Sequence, residues 1–221
     1  MRKRTPVTAA AQETARDGDF AEHLSRRFIG AVAALAGVAA LLYGVAPIAL
    51  PAGQRASIGI ACTLLAVLGA ALYRWGFGLD RVAKVHLMAG GVLGAVAVNA
   101  VGGGLGVDSG GLGFLSLLVC IVAVLGSRRG ALGLAAAGSV LVIGMATAQG
   151  AGWLAGPPAA AVYPLPLRML ANLLLLLAGV MGGQLLSHAI ERAGAQARAR
   201  EQRFAGLLAV AADWYWEMDE R

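Results

Sequence analysis

Five polar residues stand inside, or at the ends of, long apolar stretches of this 221-residue sequence and are its first candidates for chemistry: His86, Asn99, Asp108, Arg168 and Asn172. A polar group among apolar ones is costly unless another group pairs with it. Such residues therefore indicate either a contact with a stimulus or a bond between helices. Asp108 could form an ion pair with Arg168 or with Arg55. Asn99 and Asn172 could contact a ligand, although amide groups more commonly bridge two helices.

His86 has the widest range of possible chemistry, because an imidazole can bind haem, bind a metal or carry a proton. The sequence has three histidines, and only His188 could lie at a matching depth. The alternative role of His86 is a hydrogen bond at the membrane interface or between helices. The apolar stretches contain neither an H-E-x-x-H motif nor a pair of carboxylates. We therefore expect no catalytic residue, no cofactor and no metal ligand in this chain.

The composition excludes most soluble classes of protein. Hydrophobic residues make up 58% and charged residues 14%, and the mean hydropathy is +0.72. Soluble domains have about 45–50% apolar and about 25% charged residues. A cytoplasmic enzyme, a disordered tail and a secreted disulfide scaffold are thereby excluded. Cys62 and Cys120 both lie in apolar stretches and are interpreted as small buried hydrophobes. The fold class predicted is an all-α membrane protein whose principal partner is the lipid bilayer.

Six segments approach the roughly 20 apolar residues that a membrane-crossing helix needs. They are residues 29–50, 56–73, 83–101, 109–126, 130–148 and 165–186. The fourth segment becomes strongly apolar only at Leu112. The first is too long for the apolar core of a cleavable signal peptide, and four acidic residues dilute the basic leader before it. The sequence thus predicts a six-transmembrane-helix bundle that keeps its N-terminus.

The distribution of basic residues predicts the orientation. With the N-terminus in the cytoplasm, 16 of the 18 Lys and Arg residues lie on the cytoplasmic side, and only Arg55 and Arg168 lie outside. Basic residues collect in cytoplasmic loops, so both termini are expected there. The net charge of +6 is then a consequence of topology, and no nucleic-acid partner is expected.

Glycine pairs at a spacing of four residues indicate where helices could approach closely. Gly90 and Gly94 form one such pair, and Gly179 and Gly183 form another. The glycine-rich run 102–106 lacks the spacing and the strand–helix context of a phosphate-binding loop, and it is interpreted as a flexible turn.

The segment after the sixth apolar stretch is polar and has helical character. Residues 187–202 contain no proline and only one glycine. A heptad repeat places Ile190, Ala193, Ala197 and Phe204 along one seam. This seam fits a parallel homodimeric linker, and it equally fits a solvated helix near an anionic membrane surface. We favour the dimer because of the sequence that follows.

The last residues, 204–221, begin as a short amphipathic helix and then alternate. Trp214, Trp216 and Met218 fall on one face and Tyr215, Glu217 and Asp219 on the other, which predicts a strand. The step from helix into the pentad Asp213, Trp214, Tyr215, Trp216 and Glu217 resembles the opening of PAS domains in bacterial signalling proteins. The apolar region and linker before it resemble the six-span input region of PAS-containing sensor histidine kinases. Related arrangements precede diguanylate cyclases.

This resemblance implies a division of the chain and a function. Residues 1–27 would be a cytoplasmic tail, 28–187 a six-helix sensor region, 188–203 a signalling linker helix and 204–221 an incomplete, truncated PAS start. The chain would be the input module of a sensor histidine kinase in the bacterial inner membrane. The kinase region, with its ATP and its response-regulator partner, would lie in a missing output module. The alternatives are the input module of a cyclic-di-GMP cyclase or phosphodiesterase, a small six-span transporter, and a scaffold that only dimerises.

Overall fold

The computed structural model describes residues 6–45, 52–102, 106–154 and 163–219; in residues 6–21, 52–54, 77 and 209–219 it describes the backbone alone. Six helices make up nearly all of this part of the chain: α1 (Pro6–Val45), α2 (Ala52–Arg74), α3 (Arg81–Gly102), α4 (Gly111–Leu125), α5 (Arg128–Gly150) and α6 (Leu165–Asp219). Two short 3-10 turns, Gly76–Gly78 and Gly106–Asp108, precede α3 and α4. The described residues include no strand, so the fold is all-α.

Five of these helices are long and apolar enough to cross a membrane, namely α1, α2, α3, α5 and α6. They indicate a membrane-spanning protein. The fourth predicted span is shorter than expected, because α4 has only 15 residues. At 1.5 Å per residue it extends about 22 Å, against a hydrocarbon core of about 30 Å. The helix begins at Gly111, two residues after the start of the predicted segment, and ends at Leu125, one residue before its end.

The short helix α4 nevertheless lies at the centre of the larger hydrophobic core. Val119 and Val122 are fully buried, and four further α4 residues are also buried: Leu112, Leu115, Leu118 and Leu125. Buried residues of α3, α5 and α6 complete this core. A smaller core joins α1, α2 and α3 through Ile29, Leu72 and Met88. Consecutive helices from α1 to α5 pack against one another.

The glycine pair on α6 makes the close helix contact that its spacing predicts. A Cβ added to Gly179 would overlap the backbone of Ser116 on α4. At Gly183 an added Cβ would lie 2.7 Å from the Cβ of Ala123 and 3.0 Å from the Cα of Cys120. The Ser116 hydroxyl also donates a hydrogen bond to the Leu175 carbonyl at 2.6 Å. The close α4–α6 contact thus depends on the absence of a Cβ at Gly179 and Gly183.

The chain forms two compact units, Met1–Gly183 and Gln184–Arg221. The second unit consists of the C-terminal part of α6, which continues to Asp219. The alternating pattern predicts a strand over 214–218, and the structure has helix there instead. A strand needs a neighbouring strand to receive its backbone hydrogen bonds, whereas a helix satisfies them within the segment. The assignment of 204–221 to a PAS domain stays a prediction.

Candidate functional site

A group of polar residues gathers at one end of the first unit, and we call it the polar cluster: Asp108, Ser109, Gln149, Arg168 and Asn172. Three elements position it. The turn Gly106–Asp108 supplies Asp108, and Ser109 directly follows it. The C-terminal end of α5 supplies Gln149, and the first turns of α6 supply Arg168 and Asn172. The cluster therefore joins the start of α6 to the α3–α4 connection and to the end of α5.

An ion pair forms the centre of the polar cluster. Nη1 of Arg168 donates a hydrogen bond to Oδ2 of Asp108, across 60 residues of sequence. The two side chains are only 19% and 25% exposed, respectively. Sequence alone left Asp108 with two possible partners, and the structure pairs it with Arg168. Because both groups are largely removed from water, loss of either partner would leave a poorly solvated charge.

Two amide side chains hold the peptide groups next to this ion pair. Nδ2 of Asn172 donates to the Val107 carbonyl at 3.1 Å and to the Arg168 carbonyl at 3.0 Å. Oε1 of Gln149 accepts from the Val107 N–H at 3.2 Å. Both polar groups of Val107 are therefore bound by side chains, one from α5 and one from α6. This arrangement fixes the turn before α4 against two other helices.

Gly106 allows the turn to adopt this geometry. Its φ of +51° is in the left-handed region, which is costly for residues with a Cβ. A Cβ at this position would also overlap the side-chain amide of Gln149. The glycine run that sequence analysis interprets as a flexible turn thus ends in a residue with a defined packing role.

Two buried polar atoms of the cluster have no hydrogen-bond partner among the described residues. They are Oγ of Ser109, a residue that is 3% exposed, and Nε of Arg168. Buried polar groups are nearly always paired, so these atoms represent unused hydrogen-bonding capacity. The cluster combines a breakable ion pair with that capacity. Its chemistry is suited to holding α6 in place and to responding to a polar or charged group.

The opposite end of the first unit carries a second ion pair, which sequence analysis missed. Nζ of Lys84 on α3 donates to Oε1 of Glu22 on α1 at 2.9 Å. Ser25, which is fully buried, donates to the Glu22 carbonyl at 2.8 Å. We call this the basic end, because basic residues of four helices lie there: Arg26 and Arg27 in the middle of α1, and Arg74, Arg81, Lys84, Arg128 and Arg129 in the ends of α2, α3 and α5. The signal in the sequence is that Glu22 is the acidic residue nearest the first apolar stretch.

His86 lies near the basic end and packs between helices. Its Nδ1 lies 2.6 Å from the Val82 carbonyl one turn earlier and donates to it. The ring rests on α5, where a Cβ at Gly130 would overlap it, and on the α4–α5 connection, where a Cβ at Gly126 would lie 3.3 Å from its Cε1. Among the described residues no group of three or more His, Cys, Asp or Glu side chains could hold a metal ion. The ring of His86 thus contacts a neighbouring helix, while its hydrogen bond stays within α3.

The other predicted site residues form no described contact with the polar cluster. Asn99 is half-buried in α3 and makes no side-chain hydrogen bond with another described residue. The linker seam lies in the second unit, where Ile190, Ala193, Ala197 and Phe204 are exposed. The PAS-start residues Asp213, Trp214, Tyr215, Trp216 and Glu217 belong to the helical backbone of α6, and their side chains lie outside the described part.

Sequence analysis also missed Gln149 and Ser109 as members of the cluster. Both are polar residues at the ends of apolar segments, at the depth of Asp108, and that shared depth is the signal that could have revealed them.

No family model, curated protein or solved structure matches this chain.

Proposed function

We propose that this chain is the membrane-embedded sensory input module of a bacterial signal-transduction protein. In this proposal α6 relays a stimulus from the polar cluster to the linker 188–203, to a PAS domain and to an output module, which is a histidine kinase with a response-regulator partner. The observation that supports it best is the attachment of α6: Arg168 and Asn172 bind the turn before α4 through Asp108 and Val107. The same helix carries the linker sequence.

The polar cluster could act as a two-state element. With the Asp108–Arg168 pair formed, the first turns of α6 are held against the α3–α4 connection. A stimulus that binds either member of the pair favours the state in which the pair is broken, in proportion to its difference in affinity for the two states. A small shift or rotation of α6 relative to a second copy would then bias the output.

The orientation and the number of spans form part of the proposal. We place both termini in the cytoplasm of a bacterium and count α4 as a sixth span in the inner membrane. The distribution of basic residues and the burial of α4 in the core support this count. Alkaline phosphatase fused after residue 155 should be active, and the same reporter at the C-terminus should be inactive. Activity only in the C-terminal fusion would contradict the six-span topology.

The exposed seam of the linker supports a homodimer. Phe204 is 65% exposed and Ile190 is half exposed, although both are large and apolar. A parallel second copy would cover these side chains along the heptad repeat. Cysteines at Ala197 should therefore cross-link in membranes more readily than cysteines at Gln196, which lies off the seam.

The relay is tested by combining the two sites in one experiment. Asp108→Asn weakens the ion pair at the far end of α6, so it should change the ratio of cross-linking between Ala197→Cys and Gln196→Cys. The charge exchange Asp108→Arg with Arg168→Asp should bring the ratio back towards that of the unmodified chain. Glu22→Gln is the matched control, because it breaks an ion pair between α1 and α3 without touching α6. Equal ratios in Asp108→Asn and Glu22→Gln would contradict the relay.

A further inference from the structure

A groove runs between α1 and α2 at the basic end, and neither the polar cluster nor the proposed relay uses it. We call it the basic groove. It has a volume of about 680 Å³, and its main lining residues are His23, Arg26, Arg27, Gly30, Ala70 and Tyr73. Polar and apolar walls therefore occur together in one cavity that is open to the surroundings of the bundle.

The polar part of the basic groove carries unneutralised positive charge. Arg26 and Arg27 are both exposed and directly precede Phe28, where the apolar stretch of α1 begins. Neither guanidinium forms an ion pair with another described residue. The nearby carboxylate of Glu22 is already bound by Lys84 of α3. Two cations thus remain available at the level where the helix enters the membrane.

The apolar part of the basic groove is lined by small residues. Gly30 and Ala70 leave space between α1 and α2. The Tyr73 ring lies over Gly30, where an added Cβ would be 3.5 Å from ring atoms Cδ2 and Cε2. Tyr73 is still 54% exposed. An aromatic ring with a polar tip at this depth is typical of the membrane interface.

From this combination we propose that the basic groove binds a phospholipid with an anionic headgroup. The phosphate would lie against Arg26, Arg27 and His23, and an acyl chain would lie along the channel beside Gly30 and Ala70. Basic pockets between membrane helices bind anionic headgroups through the same combination of charge and depth. A free anion would use only the polar wall, whereas a phospholipid uses both walls. The pairing of a polar wall with an apolar wall therefore favours the lipid over a soluble phosphate.

Native mass spectrometry of the full chain in a neutral detergent tests the proposal, with phosphatidylglycerol and phosphatidylcholine of identical acyl chains as probes. Phosphatidylglycerol should bind more tightly. The pair of substitutions Arg26→Gln and Arg27→Gln should weaken its binding about thirtyfold, since each basic residue near an anionic lipid contributes about fivefold. The matched control is Arg128→Gln with Arg129→Gln, which removes two exposed adjacent arginines at the same end but outside the groove. Equal losses in the two double variants, or equal binding of the two lipids, would overturn the proposal.

A second variant distinguishes the lipid from a free anion. Ala70→Leu fills the apolar part of the groove from an exposed position and leaves the charges in place. It should weaken phosphatidylglycerol binding. Inorganic phosphate should displace the lipid only weakly, in this variant and in the unmodified chain. Unchanged lipid binding in Ala70→Leu, or efficient displacement by inorganic phosphate, would show that the site takes only a free anion and would overturn the lipid proposal. Thermal unfolding of each variant, followed by circular dichroism, checks that it is folded.

Discussion

The two glycine pairs of this chain have the same sequence spacing and opposite surroundings. Gly179 and Gly183 of α6 lie directly against α4, where no side chain could be added without overlap or close contact. Gly90 and Gly94 of α3 have no atom of another element within 4 Å of the place where a Cβ would be, among the residues whose side chains the structure describes. The spacing of small residues therefore indicates that a helix can be approached closely, and only the packing decides whether another helix does so.

The difference has a physical basis in the environment of the helices. Between membrane helices the attraction comes mainly from van der Waals contact and hydrogen bonds, and it falls steeply with distance. Gly91, adjacent to the open pair, lies on another face of α3 and contacts Leu68 of α2. Thus α3 is turned so that a neighbouring glycine, rather than the spaced pair, meets its partner. The comparison leads to four predictions on stability, each with an open glycine or a matched site as control.

The largest effect is expected at Gly179. Its Cβ would meet the Ser116 carbonyl and lie 2.9 Å from the Ser116 hydroxyl oxygen, and backbone atoms cannot move away cheaply. Gly179→Ala should therefore lower the free energy of unfolding by about 3 kcal/mol, the upper range for overpacking. Gly90→Ala should leave it unchanged or raise it slightly, because alanine favours helix. Unfolding in mixed detergent micelles measures both, and similar losses in the two variants would refute the comparison.

A smaller effect is expected at Gly106. Gly106→Ala combines a left-handed backbone with overlap against Gln149, so it should lower the free energy of unfolding by about 2 kcal/mol. Gly78 shares the positive φ, at +64°, but no atom of another described residue lies within 4 Å of the place where its Cβ would be. Gly78→Ala should therefore cost only the backbone part, about 1 kcal/mol. The same unfolding assay compares them, and an equal cost would mean that the Gln149 contact contributes nothing.

The next effect concerns Gly130, whose neighbour is a side chain that can move. In Gly130→Ala the His86 ring must turn away from α5 and give up its bond to the Val82 carbonyl. A loss of about 1.5 kcal/mol is expected, roughly one hydrogen bond with some packing. The open control Gly133→Ala should show no loss. Adding His86→Ala to Gly130→Ala removes the overlap, so the double variant should lose less than the two single variants summed; strict additivity would argue against the contact.

The smallest effect is expected at Ser116, which supports the α4–α6 contact through its hydroxyl. Ser116→Ala removes the hydrogen bond to the Leu175 carbonyl and should cost about 0.6 kcal/mol, the average for such bonds between membrane helices. Ser139 is a suitable control, because its hydroxyl bonds only to Ala135 within its own helix. A larger loss in Ser139→Ala than in Ser116→Ala would contradict the importance of the α4–α6 face.

The sequence alone determined the helical and apolar character of this chain. The predicted spans 83–101 and 130–148 agree closely with α3 (Arg81–Gly102) and α5 (Arg128–Gly150). Polar and basic residues mark those ends locally, so no knowledge of neighbours is needed. The apolar segment 29–50 did not show where α1 begins, because α1 starts at Pro6. Alanine and many polar residues also favour helix, so a helix can extend beyond its apolar part. The alternation after Asp213 predicted a strand, whereas the backbone there is helical. Alternation describes only which face is apolar, and a strand also needs a partner strand that this pattern cannot supply.

Only the tertiary structure decided which residues meet. Arg168 rather than Arg55 pairs with Asp108, Gln149 binds the turn at Val107, and Lys84 binds Glu22. These partners are 42 to 62 residues apart in sequence. Each contact depends on how far every intervening helix is rotated about its own axis. A rotation of about 100° per residue means that shifting a helix by one position turns a different face towards its neighbour. Spacing along one helix carries no record of that rotation, so the polar cluster becomes visible only once the helices are packed.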